Sequence, residues 1–184
     1  PSQDKAADGY SGSAGPQADK RAPVAAPAAG DPDERYDVVV LGAGPGGYTA
    51  AFRAADLGQS VLLIERYPAL GGVCLNVGCI PSKALLEATE LYDVARHNFA
   101  DMGIRVGEVG LDVPKMIARK DSIVSELTGG IEMLFKSNKI DWLKGRGTLL
   151  ADKRVKVTAR DGSESEHVAK NVILATGSVP ITLQ

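Results

Sequence analysis

An unbroken apolar run, Val38–Leu41, leads straight into Gly42-x-Gly44-x-x-Gly47, and a helix-like stretch, Tyr48–Leu57, follows without a gap. Gly58 closes that stretch as a residue suited to a left-handed helix cap, and a second apolar run, Val61–Ile64, ends on Glu65. Strands buried on both faces read as continuous apolar runs, whereas half-exposed strands alternate. A glycine triplet alone says little. Between a strand and a helix, with an acid about 20 residues further on, it specifies a βαβ unit that binds a dinucleotide. Gly42 permits the tight turn, Gly44 lets the backbone approach a pyrophosphate, and Gly47 lets the helix lie close on the strand. The helix N-terminus offers unpaired N–H groups and the positive end of a dipole to phosphate. Glu65 is placed to accept hydrogen bonds from ribose hydroxyls and would repel a 2′-phosphate, which disfavours NADP. NAD and FAD both remain open on these residues.

The next segment, GGVCLNVGCIPSK, residues 71–83, holds both cysteines of the chain, Cys74 and Cys79. Metal ligation, a structural clasp, a nucleophile and a redox pair all use close thiols. A zinc site needs about four ligands, and this chain adds only two distant histidines, His97 and His167. Pro81 marks the first turn of a helix. The apolar positions Ala84, Leu85, Ala88, Leu91, Tyr92 and Ala95 continue that helix with a 3.6-residue period. Cys79 therefore falls near a helix N-terminus, a setting that stabilises thiolates. Neither histidine is a catalytic candidate: His97 falls near a helix end and His167 in a polar hairpin.

GGVCLNVGCIPSKALL resembles the redox-active segment of the flavoprotein disulfide reductases, and most of all that of bacterial-type dihydrolipoamide dehydrogenases. LGAGPGGYTAAFRAADLG, ERYPALGG and ILATGSVP match the same family in the same order, so the resemblance covers about residues 34–184. Val73 stands where many relatives have Thr. The resemblance implies FAD as the cofactor of this domain, NAD in a second domain, and a homodimer formed through a third. It implies a Cys74–Cys79 disulfide, with Cys74 as the thiol that exchanges with a dithiol substrate and Cys79 as the thiol held against the flavin. It places the cofactor along Gly42, Gly44, Pro45, Gly47, Glu65, Arg66, Gly72, Val73, Cys74, Cys79, Lys83, Gly147, Thr176 and Gly177. Lys83 would support the electron-rich edge of the flavin near N5. Electrons would pass from a dithiol substrate to the disulfide, then to FAD and on to NAD⁺. The family's acid–base His and its Glu belong to the dimerisation domain, so the piece is expected to be inactive alone. Other FAD-dependent disulfide reductases, of the mercuric or glutathione type, and a non-catalytic FAD-binding module are the alternatives.

The remaining segments are plainer. Residues 114–137 read as a long helix with Ile117, Ile123, Val124, Leu127, Ile131, Leu134 and Phe135 toward a core, weakened locally by Gly129 and Gly130. IDWLKGRGTLL reads as a strand leading into a turn. RVKVTARDGSESEHVAK alternates around Asp161-Gly162, a hairpin signal. NVILATGSVP reads as a further buried strand. The fold class expected is α/β, an incomplete domain with a parallel Rossmann-like FAD-binding sheet, helices on both faces and a small antiparallel excursion.

Residues 1–32 differ in kind, being rich in Ala, Pro, Gly and Ser and nearly empty of large aliphatics. Such a segment cannot offset its ordering entropy by burial, and it reads as a linker stiffened by proline; a tag or cloning remnant is the plain alternative. The domain proper is expected over residues 33–184. Linkers of this composition resemble those that follow lipoyl domains in 2-oxoacid dehydrogenase complexes, which implies a lipoyl domain as partner, tethered upstream. The net charge of −2 gives no sign of a nucleic-acid partner. No apolar run approaches the ~20 residues of a membrane span. Two cysteines are too few for a secreted disulfide scaffold, so a cytoplasmic setting is expected.

Overall fold

The computed structural model describes residues 35–179 and Ile181. The Ala/Pro-rich segment lies outside the described residues. The order is β1 (Arg35–Leu41), α1 (Pro45–Asp56), β2 (Val61–Glu65), α2 (Gly72–Asn76), α3 (Cys79–His97), α4 (Val113–Ser137), β3 (Asp141–Leu149), a 3₁₀ turn (Ala151–Lys153), β4 (Arg154–Ala159) and β5 (Glu164–Leu174). β1 is the parallel centre, with Val38–Leu41 beside Val61–Ile64 of β2 and Arg35–Leu41 beside Val168–Leu174 of β5. β3 and β5 each pair twice. The first residues of β3, Asp141–Lys144, run parallel to β2, and Gly145–Leu149 run antiparallel to β4. β5 likewise meets β4 through Glu164–Val168 and β1 from Val168 onward. The five strands thus form a closed circuit of pairings.

The alternation of side chains along a strand assigns two cores. Val38 and Val40 of β1, with Val61 and Leu63 of β2, pack under Ala51 and Ala54 of α1 and Ile131 and Phe135 of α4. Phe135 meets Phe52 edge to face at 5.3 Å. On the other face Val39, Leu41, Leu62 and Ile64 pack on Val155 and Val157 of β4. The sequence leads one to expect helices on both faces. Among the described residues they cover one, and the antiparallel excursion occupies the other, because a hairpin with Val155 and Val157 turned inward buries that face equally well.

Three local expectations change. Of the apolar positions along α4 only Ile131 and Phe135 are buried; Ile117, Leu127 and Leu134 are exposed, because only the last turns of α4 reach the sheet. Leu91 of α3 is exposed as well. The run NVIL is not a buried strand: Ile173 and Leu174 are exposed, since past Val168 no strand among the described residues pairs with the outer edge of β5. His167 is buried rather than displayed on a polar hairpin, with Nε2 3.0 Å from Ser165 Oγ and its ring near Tyr36. Turn chemistry follows expectation at Gly58 and Gly162, whose φ values of 76° and 84° suit glycine.

Asp37 fastens the strand starts together. Its carboxylate accepts from Ser60 N–H and Oγ, both at 2.9 Å, and from Lys170 Nζ at 2.6 Å. Lys170, then Ser60, hold the Asp37 carboxyl down at about 2. A carboxyl depressed in the folded state stabilises it above the unfolded value and loses that contribution as pH falls through the folded one. The acid limb of stability between about pH 4 and pH 2 is therefore expected to be shallower in Asp37→Asn than in the unmodified protein. Urea midpoints measured across that range check it, and equal slopes would refute it.

Candidate active site

The parallel strands end on a common side, and a cleft of about 620 Å³ opens there. Open α/β sheets bind ligands at the carboxyl ends of their strands. The glycine loop forms one wall. Gly42 adopts φ 101°, and a Cβ there would sit 2.3 Å from Ala175 O. Gly47 is more restricted still, since its Cβ would lie 1.8 Å from Gly42 O. Gly44 is the opposite case: a Cβ would meet nothing within 4 Å. Its bare backbone borders the cleft, and no side chain caps α1 behind it. First-turn N–H groups of a helix lack intrahelical partners, so this end of the cleft is built for an anion.

Glu65 is buried at the end of β2. Its Oε2 accepts from Ala43 N–H at 2.7 Å and its Oε1 from Tyr67 N–H at 2.9 Å. The carboxylate thereby braces the glycine loop as well as facing the cleft. Each oxygen keeps acceptor capacity for a ligand hydroxyl.

The cysteine segment forms the second wall. Gly71 and Gly72 take φ values of 101° and 58°. A Cβ on Gly72 would lie 2.6 Å from Gly44 Cα, so the two glycine turns meet backbone to backbone. Gly71 N–H donates to Ala43 O at 2.8 Å. α2 then carries Cys74 into the cleft lining. Cys79 opens α3. Both cysteines are free thiols, Cys74 half-buried and Cys79 exposed. The hydrogen bond that the Cys74 thiol makes to Cys79, followed by desolvation, pushes that thiol above its ordinary range.

Of the residues singled out in the sequence, Gly42, Gly44, Pro45, Glu65, Arg66, Gly72, Val73, Cys74, Gly147, Thr176 and Gly177 line this one cleft. Gly47 lies beneath it, a packing position. Cys79 and Lys83 stand outside the lining, further along α3. Tyr67, Arg146 and Ser178, which sequence reasoning misses, also border the cleft. Each adjoins one of the singled-out residues, Arg66, Gly147 or Gly177, and that adjacency is the signal available. Tyr67 stacks with Arg66, the guanidinium 4.7 Å from its ring centre.

The family described as pyridine nucleotide-disulphide oxidoreductase matches residues 36–184. The chain belongs to that family. Among relatives of this pyridine nucleotide-disulphide oxidoreductase, dihydrolipoyl dehydrogenase 3 of Pseudomonas putida is 52% identical over 149 residues, which is 80% of this chain and 32% of the relative. Dihydrolipoyl dehydrogenase 1, mitochondrial, of Arabidopsis thaliana is 50% identical over 145 residues, 79% of this chain and 29% of the relative. A leghemoglobin reductase of Vigna unguiculata is 49% identical over 145 residues, again 79% of this chain and 28% of the relative. The chain thus spans about a third or less of each of these proteins. Among the described residues no helix is long and apolar enough to cross a membrane.

Proposed function

We propose that this chain is the amino-terminal part of an NAD-dependent dihydrolipoyl dehydrogenase. The observation that carries this reading is the meeting of Gly72 with Gly44, which sets Cys74 in the same cleft as the glycine loop and Glu65. The glycine loop would hold a dinucleotide's pyrophosphate and Glu65 its ribose hydroxyls, in the cleft that Cys74 also lines. FAD fits these residues: an open space stands over Gly44, an uncapped helix N-terminus faces it, and a buried carboxylate flanks it. Gly42, Gly44, Pro45, Glu65, Arg66, Gly72, Val73, Gly147, Thr176 and Gly177 would hold it.

In the oxidised protein Cys74 and Cys79 form a disulfide. A substrate thiolate attacks Cys74, the Cys74–Cys79 bond breaks, and the Cys79 thiolate leaves. The second substrate thiolate then displaces Cys74, so the substrate becomes a disulfide and the protein pair becomes two thiolates. Two electrons have entered the protein and two protons have been released to a base. FAD, when bound, would supply a two-electron acceptor for the thiol pair, with NAD⁺ as the final acceptor. Lys83, one turn past Cys79 on α3, offers its ammonium to that region.

The substrate is a dihydrolipoyl group on a lipoyl domain of a 2-oxoacid dehydrogenase complex. Residues 1–32 would tether such a domain upstream, where tethering raises its effective concentration to the millimolar range. The parent acts as a homodimer in the cytoplasm. The Pseudomonas and Arabidopsis relatives are both dihydrolipoyl dehydrogenases by name, which supports this substrate over those of other disulfide reductases.

Acid precipitation of the purified parent protein is expected to release FAD, visible by its absorbance and by mass spectrometry of the supernatant. A colourless parent that folds normally, or one that yields NAD alone from this site, would overturn the reading.

A further inference from the structure

α2 is a single turn of five residues that carries Cys74, and Cys79 opens α3 three residues after α2 ends. A helix this short does not sustain itself in water, because nucleation costs more than one turn of hydrogen bonds returns. Two side chains hold it in place. Leu75 is buried, tucked under Gly71, where any Cβ would collide with it at 2.6 Å. Asn76, the last residue of α2, turns its amide back and donates from Nδ2 to Leu70 O at 3.0 Å and to Gly72 O at 2.9 Å. Both protons of one amide are thus spent on the loop that precedes Cys74. That loop is itself fixed to the nucleotide turn through Gly71 N–H and Ala43 O.

We propose that Asn76 is a positioning residue for the thiol pair, and that its two hydrogen bonds set the thiol–disulfide equilibrium of Cys74 and Cys79. The inference rests on the reading of this pair as redox-active. When α2 is fastened at both ends, Cys74 samples few positions relative to the first residue of α3. Its effective concentration beside Cys79 is then high, and disulfide formation is favoured. Releasing the amide lets α2 fray, and the same two sulfurs meet less often.

The test equilibrates the flavin-loaded parent protein with mixtures of oxidised and reduced dithiothreitol, followed by acid quench, alkylation and mass spectrometry. In this exchange two protein S–H bonds and the cyclic S–S bond of the oxidant become one protein S–S bond and the two S–H bonds of the reduced reagent. Electrons and protons balance within the pair. Asn76→Ala is expected to lower the equilibrium constant for disulfide formation about tenfold, which is about 30 mV for a two-electron couple. Asn76→Ser, which keeps one donor, should fall between that variant and the unmodified protein. If the alanine variant does not fold, the serine variant decides the question. An equilibrium constant equal to that of the unmodified protein in a folded variant overturns the assignment, even if its Tm has dropped, because Asn76 would then serve stability alone. If the unmodified protein forms no Cys74–Cys79 disulfide in any of the mixtures, the redox reading of the pair has failed instead.

Discussion

Replacing either cysteine in the flavin-loaded parent is expected to lower dihydrolipoamide-dependent NADH formation by about a thousandfold or more, as loss of a reacting nucleophile does elsewhere. The two variants should differ in colour. Cys74→Ser removes the exchanging thiol and leaves Cys79 unable to form the disulfide, so a long-wavelength charge-transfer absorbance should be present without any reductant. Cys79→Ser should abolish that absorbance whatever the redox state. The assignment is the one that the resemblance to the flavoprotein disulfide reductases implies. In the structure Cys79 begins α3, and Cys74 sits half-buried on α2 with its thiol pushed above its ordinary range by its hydrogen bond with Cys79. A spectrum showing the band in Cys79→Ser and not in Cys74→Ser would reverse the two roles. Retention of full activity in either variant would remove the pair from the reaction altogether.

A second large effect separates two glycines three residues apart. Gly47→Ala puts a methyl group 1.8 Å from Gly42 O, backbone against backbone, where no flexible side chain can yield. Forcing α1 away from β1 should cost roughly 3 kcal/mol or more, the upper part of the overpacking range. The expected result is parent protein that is largely insoluble or melts well below the unmodified form. Gly44→Ala meets nothing within 4 Å in the structure. It should leave the urea midpoint of the flavin-free protein nearly unchanged while weakening flavin retention at least tenfold, because the added methyl group enters the space proposed for the pyrophosphate. Flavin loss measured by ultrafiltration, set beside the urea midpoint, distinguishes the two. Equal flavin affinity in Gly44→Ala would mean that the phosphates lie elsewhere.

Much of the fold and the cleft is legible in the amino-acid sequence, for reasons that differ by segment. From Val38 to Glu65 the residues state one thing at every level: continuous apolar runs, glycines where the backbone must turn or touch, and an acid at the strand end. Local pattern and tertiary role coincide there, so the unit and its cleft-facing residues can be read directly. Ile117, Leu127 and Leu134 share a periodic face with Phe135, yet only Phe135 and Ile131 reach the sheet, because periodicity reports a direction and not the length of the neighbour. Ile173 and Leu174 read as buried on composition, although burial depends on what stands beside the outer edge of β5. Which face the hairpin covers is equally hidden: the inward turn of Val155 and Val157 is set by the double pairing of β3 and β5, a relation between distant residues. Arg146 escapes for the same reason, since it reaches the cleft only through the strand that carries it.

The closed circuit of strands also fixes an order of events during synthesis. The Asp37–Lys170 contact spans 133 residues of chain. At roughly 5–20 residues per second, Asp37 of β1 leaves the ribosome roughly 7–27 s before Lys170 of β5 can join it. Val39, Leu41, Leu62 and Ile64 stand uncovered until Val155 and Val157 of β4 follow, two adjacent strands with an unsheltered apolar face. Nascent chains of the parent should therefore be clients of hydrophobic-binding chaperones until β4 has emerged and been pinned by β5. Ala175, Thr176 and Gly177, which also border the cleft, follow β5 directly. The cleft can hold flavin only after that point, so cofactor starvation should leave the earlier nascent chains unchanged.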